Sequence, residues 1–204
     1  MKDTVLLVID VQNGFCTGGG LPVPDGEAVV PVINRLAADF AQVVLTQDWH
    51  PPGHVSFASS HPGRQPFETI ALAYGPQVLW PGHCIQGTDD AAFHPDLHIP
   101  HAQAIIRKGW RLGIDSYSAF VEADRATPTG LSGYLRELGV RNLVLCGLAT
   151  DFCVAWSALD ARKAGFAVTV VEDACRAIDL DGSLQQAWTQ LRAAGVRRAT
   201  SATY

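Results

Sequence analysis

The chain has 204 residues, of which 48% are hydrophobic and 17% charged, with a formal net charge of −5. This composition is typical of a globular protein long enough to bury a large core, and we expect one domain over residues 1–204. The acidic balance argues against partners with negatively charged surfaces, so neither nucleic acid nor a membrane is expected. No apolar stretch is long enough to cross a bilayer.

The cysteines and the N-terminal residues indicate the cellular compartment of the protein. Five cysteines are present, an odd number without the paired spacing of a disulfide framework. The chain leads directly into an apolar run, without the small-residue cleavage site of a signal peptide. Together these features predict free thiols in a reducing cytoplasm.

Apolar runs without polar alternation predict buried parallel strands in the first part of the chain. The first run is Thr4–Ile9, which stops at Asp10, and the second is Val43–Leu45, which ends near Asp48. Apolar residues at helical spacing predict a helix over 28–40 between them. A carboxylate at the end of a buried strand needs a partner or a function, so both aspartates are candidate site residues.

The segment from Trp49 to about His101 interrupts this alternation. It is rich in proline, glycine and histidine, and its periodicity is weak. A connection this long inside a compact domain is usually functional, and we interpret it as an ordered active-site excursion. Short helices are predicted near Phe67–Tyr74.

The remaining chain returns to alternating strands and helices. The predicted strands are 104–106, 142–147, 167–171 and 196–202, and the predicted helices are 131–138, 154–164 and 183–194. Thr129 is the expected cap of the first of these helices, and the arginines of the last strand suit a sheet edge. The pattern predicts a three-layer α/β/α fold, in which a mostly parallel sheet of six strands carries helices on both faces.

In such sheets, ligands bind beyond the carboxyl ends of the strands. Asp10, Asp48, Lys108 and Cys153 each lie at or just after such an end. Cys153 falls in the first turn of a predicted helix, where free N–H groups and the helix dipole favour a thiolate nucleophile. Asp10 would accept the thiol proton, and Lys108 would lower the pKa of Cys153. The alternatives are a structural ion pair and a cysteine that is only a buried apolar side chain.

A carboxylate and several imidazoles form a candidate metal site. Asp48 and His50 are two residues apart, which places both side chains on the same side of an extended chain. His54 and His83 supply further imidazoles. One carboxylate and two imidazoles leave positions open for water and substrate, which suits one divalent metal: Zn²⁺ first, with Fe²⁺ and Mn²⁺ as alternatives. The alternative is that these histidines are ordinary loop residues that bind no metal.

Several aromatic side chains are candidate walls of a pocket for a flat ring. They are Phe15, Trp49, Trp80 and Tyr117. Packing in the core or in loops is the commonest role of aromatic residues, and it is the alternative for each of them.

Five motifs, spread from the first strand to the helix after the fourth, resemble those of the nicotinamidases. These enzymes form a family within the isochorismatase-like cysteine amidohydrolases. The motifs are 10–16 (DVQNGFC), 47–51 (QDWHP), 80–84 (WPGHC), 108–109 with 115–118 (KG and DSYS), and 147–154 (GLATDFCV). The Asp, Lys and Cys set is typical of the superfamily, whereas the two histidine motifs are typical of nicotinamidases. The resemblance implies the isochorismatase-like α/β fold.

The resemblance also implies an activity: hydrolysis of nicotinamide to nicotinic acid and ammonia, a step of NAD salvage, with related amides such as pyrazinamide as further substrates. Cys153 would attack the carboxamide carbon with Asp10 and Lys108 as its partners, and water would hydrolyse the resulting thioester. Backbone N–H groups of Ala149 and Cys153 would form the oxyanion hole. The peptide bond that precedes Ala149 is usually cis in this family.

The same resemblance assigns the metal and the substrate contacts. Asp48, His50 and His83 would hold the metal, which binds the pyridine nitrogen, and His54 matches a ligand or near-ligand of some members. The substrate contacts would be Phe15, Trp80, Tyr117, Ala149 and Phe152, with Phe15 and Trp80 flanking the ring. Two residues depart from the family pattern: Gly14 stands where Asp is commoner, and Phe152 stands where Tyr or His is commoner.

Two other functions remain open. A superfamily amidase acting on an N-carbamoyl or ureido substrate shares the catalytic set but lacks the paired metal motifs. A non-catalytic metal-binding protein of the same fold would be expected to have lost Asp10, Lys108 or Cys153, and all three are present. An isochorismate-type ether hydrolase is disfavoured because it does not need the cysteine. Homo-oligomers are common for this fold, but no segment of the sequence identifies an interface.

Overall fold

The computed structural model describes residues 3–204, along which strands and helices alternate. The elements are β1 (Thr4–Ile9), α1 (Val29–Ala37), β2 (Val43–Asp48), β3 (Thr69–Leu72), β4 (Gly75–Val78), β5 (Ala104–Lys108), α2 (Leu131–Glu137), β6 (Asn142–Leu148), α3 (Ala155–Lys163), β7 (Ala167–Arg176), α4 (Ser183–Ala193) and β8 (Arg197–Ala199).

Six strands form one sheet in the order β5–β2–β1–β6–β7–β8. Every neighbouring pair in it is parallel, which confirms the predicted sheet and makes it parallel throughout. β1 and β2 are buried along their whole length, because they lie inside the sheet and both faces of the sheet are covered. β8 lies at an edge, as its exposed arginines predict.

The helices cover both faces of the sheet. The chain passes from β1 through α1 to β2 in one direction, and from β6 through α3 to β7 in the other. Because right-handed crossovers in opposite directions place their helices on opposite faces, α1 and α3 belong to different layers. α1 packs against β6 and β7, whereas α3 packs against β7 and α4. Within residues 3–204, no helix combines the length and apolar character needed to span a membrane.

The prediction of short helices near 67–74 is wrong. Two strands of four residues each, β3 and β4, form an antiparallel hairpin there. Gln77 of β4 is buried, and its amide donates hydrogen bonds to Asp115 and Tyr117. These contacts with distant residues favour the strand, and local apolar spacing carries no information about them.

Some element boundaries also differ from the predictions. β7 continues to Arg176, because a register shift after Leu145 lets its last residues pair with the end of β6. Gly130 occupies the cap position of α2 in place of Thr129. The Thr129 hydroxyl nevertheless accepts a hydrogen bond of 3.3 Å from the backbone N–H of Leu131.

Candidate active site

The carboxyl ends of four neighbouring strands, β5, β2, β1 and β6, bring Asp10, Asp48, Lys108 and Cys153 together. Lys108 is the last residue of β5 and is completely buried. Its Nζ lies 2.8 Å from Asp10 Oδ2, 2.7 Å from Asp48 Oδ1 and 3.3 Å from Cys153 Sγ. It also donates a hydrogen bond of 3.0 Å to the carbonyl oxygen of Ser116. The ammonium group is therefore the centre of the predicted catalytic set.

Asp10 has one carboxylate oxygen bonded to Thr46 and the other paired with Lys108. The Thr46 hydroxyl donates to Asp10 Oδ1 at 2.6 Å and accepts the backbone N–H of Asp10 at 3.2 Å. Oδ2 faces Lys108 but makes no hydrogen bond of good geometry. Side-chain atoms of Asp10, Asp48 and Cys153 lie within 4.8 Å of one another. One lone pair of Asp10 is thus available for the proton of the thiol.

The pKa of Cys153 in this cluster shifts in the direction opposite to the one that the sequence predicts. Burial raises the pKa of the Cys153 thiol well above its usual range; Lys108 opposes this, and Asp10 and Asp48 raise the pKa further. Burial also raises the pKa of Asp10, against the effect of Lys108. Burial lowers the pKa of Lys108, but the two carboxylates and Cys153 raise it well above its usual value. In the metal-free protein these shifts favour the thiol form of Cys153 and the charged form of Lys108.

Cys153 lies in a π-helical turn, Thr150–Val154, that leads from β6 into α3. Gly147 has a φ of +116°, and a Cβ there would lie 2.0 Å from the carbonyl oxygen of Ile9, so β6 requires glycine where it passes β1. The peptide bond Leu148–Ala149 is cis, as the resemblance implies. The predicted strand, turn and helix are confirmed, with the π-helical turn as an added feature.

Asp48, His50 and His83 form a buried group whose donor atoms lie within 4.8 Å of one another. His83 Nε2 lies 3.6 Å from Asp48 Oδ2, and His50 Nε2 lies 3.9 Å from Asp48 Oδ1. His83 Nδ1 is 2.9 Å from the carbonyl oxygen of Pro81. Because only a protonated Nδ1 can donate to that carbonyl, the Nε2 lone pair is left for a cation. One carboxylate and two imidazoles fit a divalent metal.

Two further features adapt this group to a cation. Burial raises the pKa of Asp48, but Lys108, His50 and His83 together hold it well below its usual range, so the carboxylate is ionised. Gly109 has a φ of +66°, and a Cβ there would lie 2.7 Å from His50 Nε2. Glycine at position 109 therefore leaves the space that the His50 imidazole occupies.

His54 lies beside the metal group, with its ring centroid 4.4 Å from that of His50. Its Nδ1 accepts a hydrogen bond of 2.7 Å from the Ser56 hydroxyl, and its Nε2 donates one of 3.0 Å to the carbonyl oxygen of Arg111. Burial lowers its pKa to about 4, so the ring is neutral. Both nitrogens of His54 contact protein groups, but one of its nitrogens also lies within 4.8 Å of donor atoms of His50 and Asp115, so its role as a possible ligand stays a prediction.

The pocket above Cys153 has an aromatic wall. Trp80 meets Phe152 edge to face, with ring centroids 4.9 Å apart, and its Nε1 donates a hydrogen bond of 2.9 Å to Tyr117 Oη. Phe15 packs on the ring of His83 at 5.4 Å. The pocket is lined by Phe15, Trp80, Tyr117, Ala149, Phe152, Cys153, Asp48, His50 and His83, together with three residues described next. Trp49 is not among them: its ring lies under the guanidinium of Arg107, at 3.9 Å.

Three lining residues received no role from the sequence: Leu21, Asp115 and Ile178. Asp115 belongs to motif 115–118, and its carboxylate was a signal that could have identified it. Its Oδ1 lies 3.4 Å from His50 Nε2, and its Oδ2 accepts the Gln77 amide at 2.8 Å. Leu21 and Ile178 are single apolar residues in irregular segments, which no sequence pattern distinguishes.

Gly14, which departs from the family pattern, has no room for a side chain. A Cβ there would lie 2.7 Å from both Asp90 Oδ2 and Cys84 Sγ. The Asp90 carboxylate accepts the backbone N–H of Cys84 at 2.6 Å and that of Gly20 at 2.9 Å. Asp90 therefore connects the loop that carries His83 to the glycine-rich turn 17–20, and it occupies the space beside position 14.

Comparison with known proteins agrees with this geometry. The family model described as the isochorismatase domain matches residues 4–203. The chain belongs to the isochorismatase family. Within that family it is 59% identical over 200 residues to a nicotinamidase of Acinetobacter baylyi, an alignment that covers 98% of this chain and 94% of the relative.

Two solved structures share the fold along almost the whole chain. A nicotinamidase/pyrazinamidase of Acinetobacter baumanii superposes with a TM-score of 0.99 at 61% identity, covering 100% of this chain and 98% of that one. A pyrazinamidase of Pyrococcus horikoshii in complex with zinc superposes with a TM-score of 0.80 at 32% identity, covering 97% and 99% of the two chains. The predicted isochorismatase-like fold is confirmed.

Proposed function

We propose that this member of the isochorismatase family hydrolyses nicotinamide to nicotinic acid and ammonia, a step of NAD salvage. The observation that carries the proposal is the contact of Lys108 Nζ with Asp10, Asp48 and Cys153, since it joins a thiol, a carboxylate and a metal-type donor set in one buried cluster. The activity named for the Acinetobacter relatives supports the substrate. Five free cysteines fit the reducing cytoplasm that we expect for this reaction.

The first half of the reaction releases ammonia. Cys153 Sγ attacks the carboxamide carbon, and Asp10 takes the thiol proton as the S–C bond forms. The backbone N–H of Ala149 donates no hydrogen bond within residues 3–204. It is therefore free to bind the negative oxygen of the tetrahedral intermediate, and the N–H of Cys153 would complete this oxyanion hole. Asp10 then gives its proton to the amide nitrogen, the C–N bond breaks, and a thioester remains on Cys153.

The second half consumes one water. The water attacks the thioester carbon while Asp10 accepts its proton, and Asp10 returns that proton to Sγ as the C–S bond breaks. Nicotinic acid leaves and the resting thiol is restored. The raised pKa of Lys108 keeps its ammonium charged throughout, so it holds Asp10 in place and stabilises the developing thiolate.

We further propose Asp48, His50 and His83 as the ligands of one divalent metal, Zn²⁺ first, with Fe²⁺ and Mn²⁺ as alternatives. The zinc complex of the Pyrococcus relative supports this choice. When bound, the metal supplies a Lewis acid for the pyridine nitrogen and so orients the ring. We expect Phe15 and Trp80, which line the pocket, to flank that ring, and Tyr117 and Phe152 to close its edge.

The competing activity is that of a family amidase for N-carbamoyl or ureido substrates. Such substrates have no ring nitrogen, and the paired imidazoles and the aromatic wall then have no partner, which favours nicotinamide. A non-catalytic metal-binding protein would have no use for a thiol in contact with a buried ammonium. A homo-oligomer and a single domain over residues 1–204 stay predictions.

The test is release of ammonia and nicotinic acid from nicotinamide by purified, metal-loaded, reduced protein. We expect turnover by the wild type and loss of turnover in Cys153→Ala and after chelation. Activity that survives chelation would assign the metal group a structural role and favour the carbamoyl amidase. Wild-type protein that is inert on nicotinamide but active on N-carbamoyl amides would overturn the proposal.

A further inference from the structure

A second cavity adjoins the active-site pocket behind Tyr117 and Phe152. It lies between the β3–β4 hairpin and the start of α3, and its volume is about 380 Å³. This is within the range of about 300–1,000 Å³ that is usual for small-molecule sites. Tyr117 and Phe152 line both cavities, so these two side chains form the partition between them.

The two side chains of the partition are held in different ways. Tyr117 Oη accepts hydrogen bonds from Trp80 Nε1 at 2.9 Å and from Gln77 Nε2 at 3.0 Å, which fix its ring. Phe152 has no polar group and is held by ring contacts, at 4.9 Å to Trp80 and 5.7 Å to Tyr117. Removal of the Phe152 ring would therefore open the partition while Tyr117 stays in place.

The lining of the second cavity indicates what it would bind. Apolar and aromatic side chains predominate: Pro76, Val78, Ala123 and Trp156 join the two partition residues. The one charged residue of the lining, Arg125, is already engaged, since it pairs with Asp160 and lies 5.0 Å from the centroid of the Trp156 ring. The stacked guanidinium and the aromatic faces suit a flat, uncharged aromatic group.

We propose that this cavity is a subsite for a ring substituent of extended aromatic amides, and that Phe152 sets the size limit of the substrate by closing it. The inference rests on the proposed hydrolysis of nicotinamide. With Phe152 present, a single pyridine ring fills the pocket and aryl-substituted rings are excluded. A small side chain at position 152 would let an aryl group pass into the second cavity.

The test compares kcat/KM for nicotinamide and for 5-phenylnicotinamide. The 5-position is meta to both the ring nitrogen and the carboxamide, so its substituent points away from the metal group and from Cys153. In Phe152→Ala we expect the ratio of the two values, phenyl over unsubstituted, to rise by about tenfold or more over the wild type. Phe152→Leu should give an intermediate ratio, which guards against loss of folding in the alanine variant.

Two matched variants locate the effect. Leu21→Ala enlarges the active-site pocket at a wall that the second cavity does not share, and it should leave the ratio unchanged. Ala123→Phe fills the second cavity, and in the Phe152→Ala background it should reverse the gain. An equal rise of the kcat/KM ratio in Leu21→Ala would contradict the subsite. So would a rise in Phe152→Ala that persists after Ala123→Phe is added.

The outcomes separate this proposal from the proposed function. If the wild type hydrolyses nicotinamide and the ratio does not rise in the two Phe152 variants, only the subsite is refuted. If the wild type does not hydrolyse nicotinamide, the function is refuted, and calorimetric binding of 5-phenylnicotinic acid decides the subsite. Tighter binding by Phe152→Ala than by the wild type would support the subsite, and equal binding would contradict it.

Discussion

Asp48 Oδ1 lies 2.7 Å from Lys108 Nζ, so one carboxylate belongs both to the charge cluster around Cys153 and to the candidate metal ligands. The sheet imposes this contact, because Asp48 and Lys108 are register partners at the ends of β2 and β5. The other oxygen of Asp48 faces His83 at 3.6 Å. We therefore expect the nucleophile and the metal site to respond together to changes at either residue.

Lys108→Met should damage both stability and activity. It leaves Asp10 and Asp48 buried without a cation, and removing one partner of a buried pair costs about 3–5 kcal/mol. Urea denaturation should show a loss of that size in the free energy of unfolding, with no measurable turnover of nicotinamide. Lys163→Met is the matched control, because the Lys163 side chain is 68% exposed and its pair with Asp160 should contribute about 1 kcal/mol or less. Equal losses in the two variants would contradict the central role of Lys108.

Alkylation of metal-free protein by iodoacetamide should report the raised pKa of Cys153. The rate at Cys153, followed by peptide mass spectrometry, should rise with pH through and beyond the range of an ordinary thiol, because burial and the two carboxylates disfavour the thiolate. Asp10→Asn removes one of those carboxylates, so it should lower the pKa and speed alkylation at neutral pH. A wild-type rate already at its plateau at pH 7 would refute the resting thiol.

Metal affinity should distinguish the three proposed ligands from the other histidines. Mutations of residues that only support metal ligands typically cost about 10–100-fold in affinity, so His83→Ala should cost at least about tenfold. His54→Gln should retain the metal, since both nitrogens of His54 are already bonded to protein groups. Chelator competition measures the affinities, with the exposed His98→Ala as control. Loss of metal in His54→Gln alone would contradict the assignment.

Gln77→Met should impair the binding of nicotinamide, although Gln77 does not line the active-site pocket. It removes the amide that donates to Asp115 Oδ2 and to Tyr117 Oη, and an unpaired buried acceptor costs about 1–3 kcal/mol. We expect a lower melting temperature and a KM for nicotinamide that rises more than kcat falls, because Tyr117 belongs to the pocket wall. Gln86→Met, which removes a hydrogen bond to the carbonyl oxygen of Trp49, should leave KM unchanged.

The sequence predicted which residues meet in the candidate catalytic cluster, because each of them lies at or after the end of a strand that an apolar run defines. Thr4–Ile9 stops at Asp10, and 104–106 leads to Lys108, so the parallel sheet alone brings them together. The β3–β4 hairpin was not predictable in this way. Its buried Gln77 bonds to Asp115 and Tyr117, which are 38 and 40 residues away, and only the tertiary structure supplies those partners.

Protonation states were the least predictable feature of the site. The helix N-terminus and Lys108 favour a thiolate at Cys153. Asp10 and Asp48, which follow or end other strands, and the burial of the cluster raise the pKa of the thiol instead. The same reasoning applies to His54, whose Nε2 is occupied by a carbonyl oxygen 57 residues further along the chain. In both cases the residue type was informative, and its charge or ligand role depended on neighbours distant in sequence.

The covalent step is tested most directly by acid-quenching metal-loaded wild type during turnover of nicotinamide and identifying the acylated residue by peptide mass spectrometry. We predict one nicotinoyl group on Cys153 and none in Cys153→Ser, which should also release no nicotinic acid. Product formation without an adduct, or an adduct on another cysteine such as Cys84, would contradict Cys153 as the nucleophile.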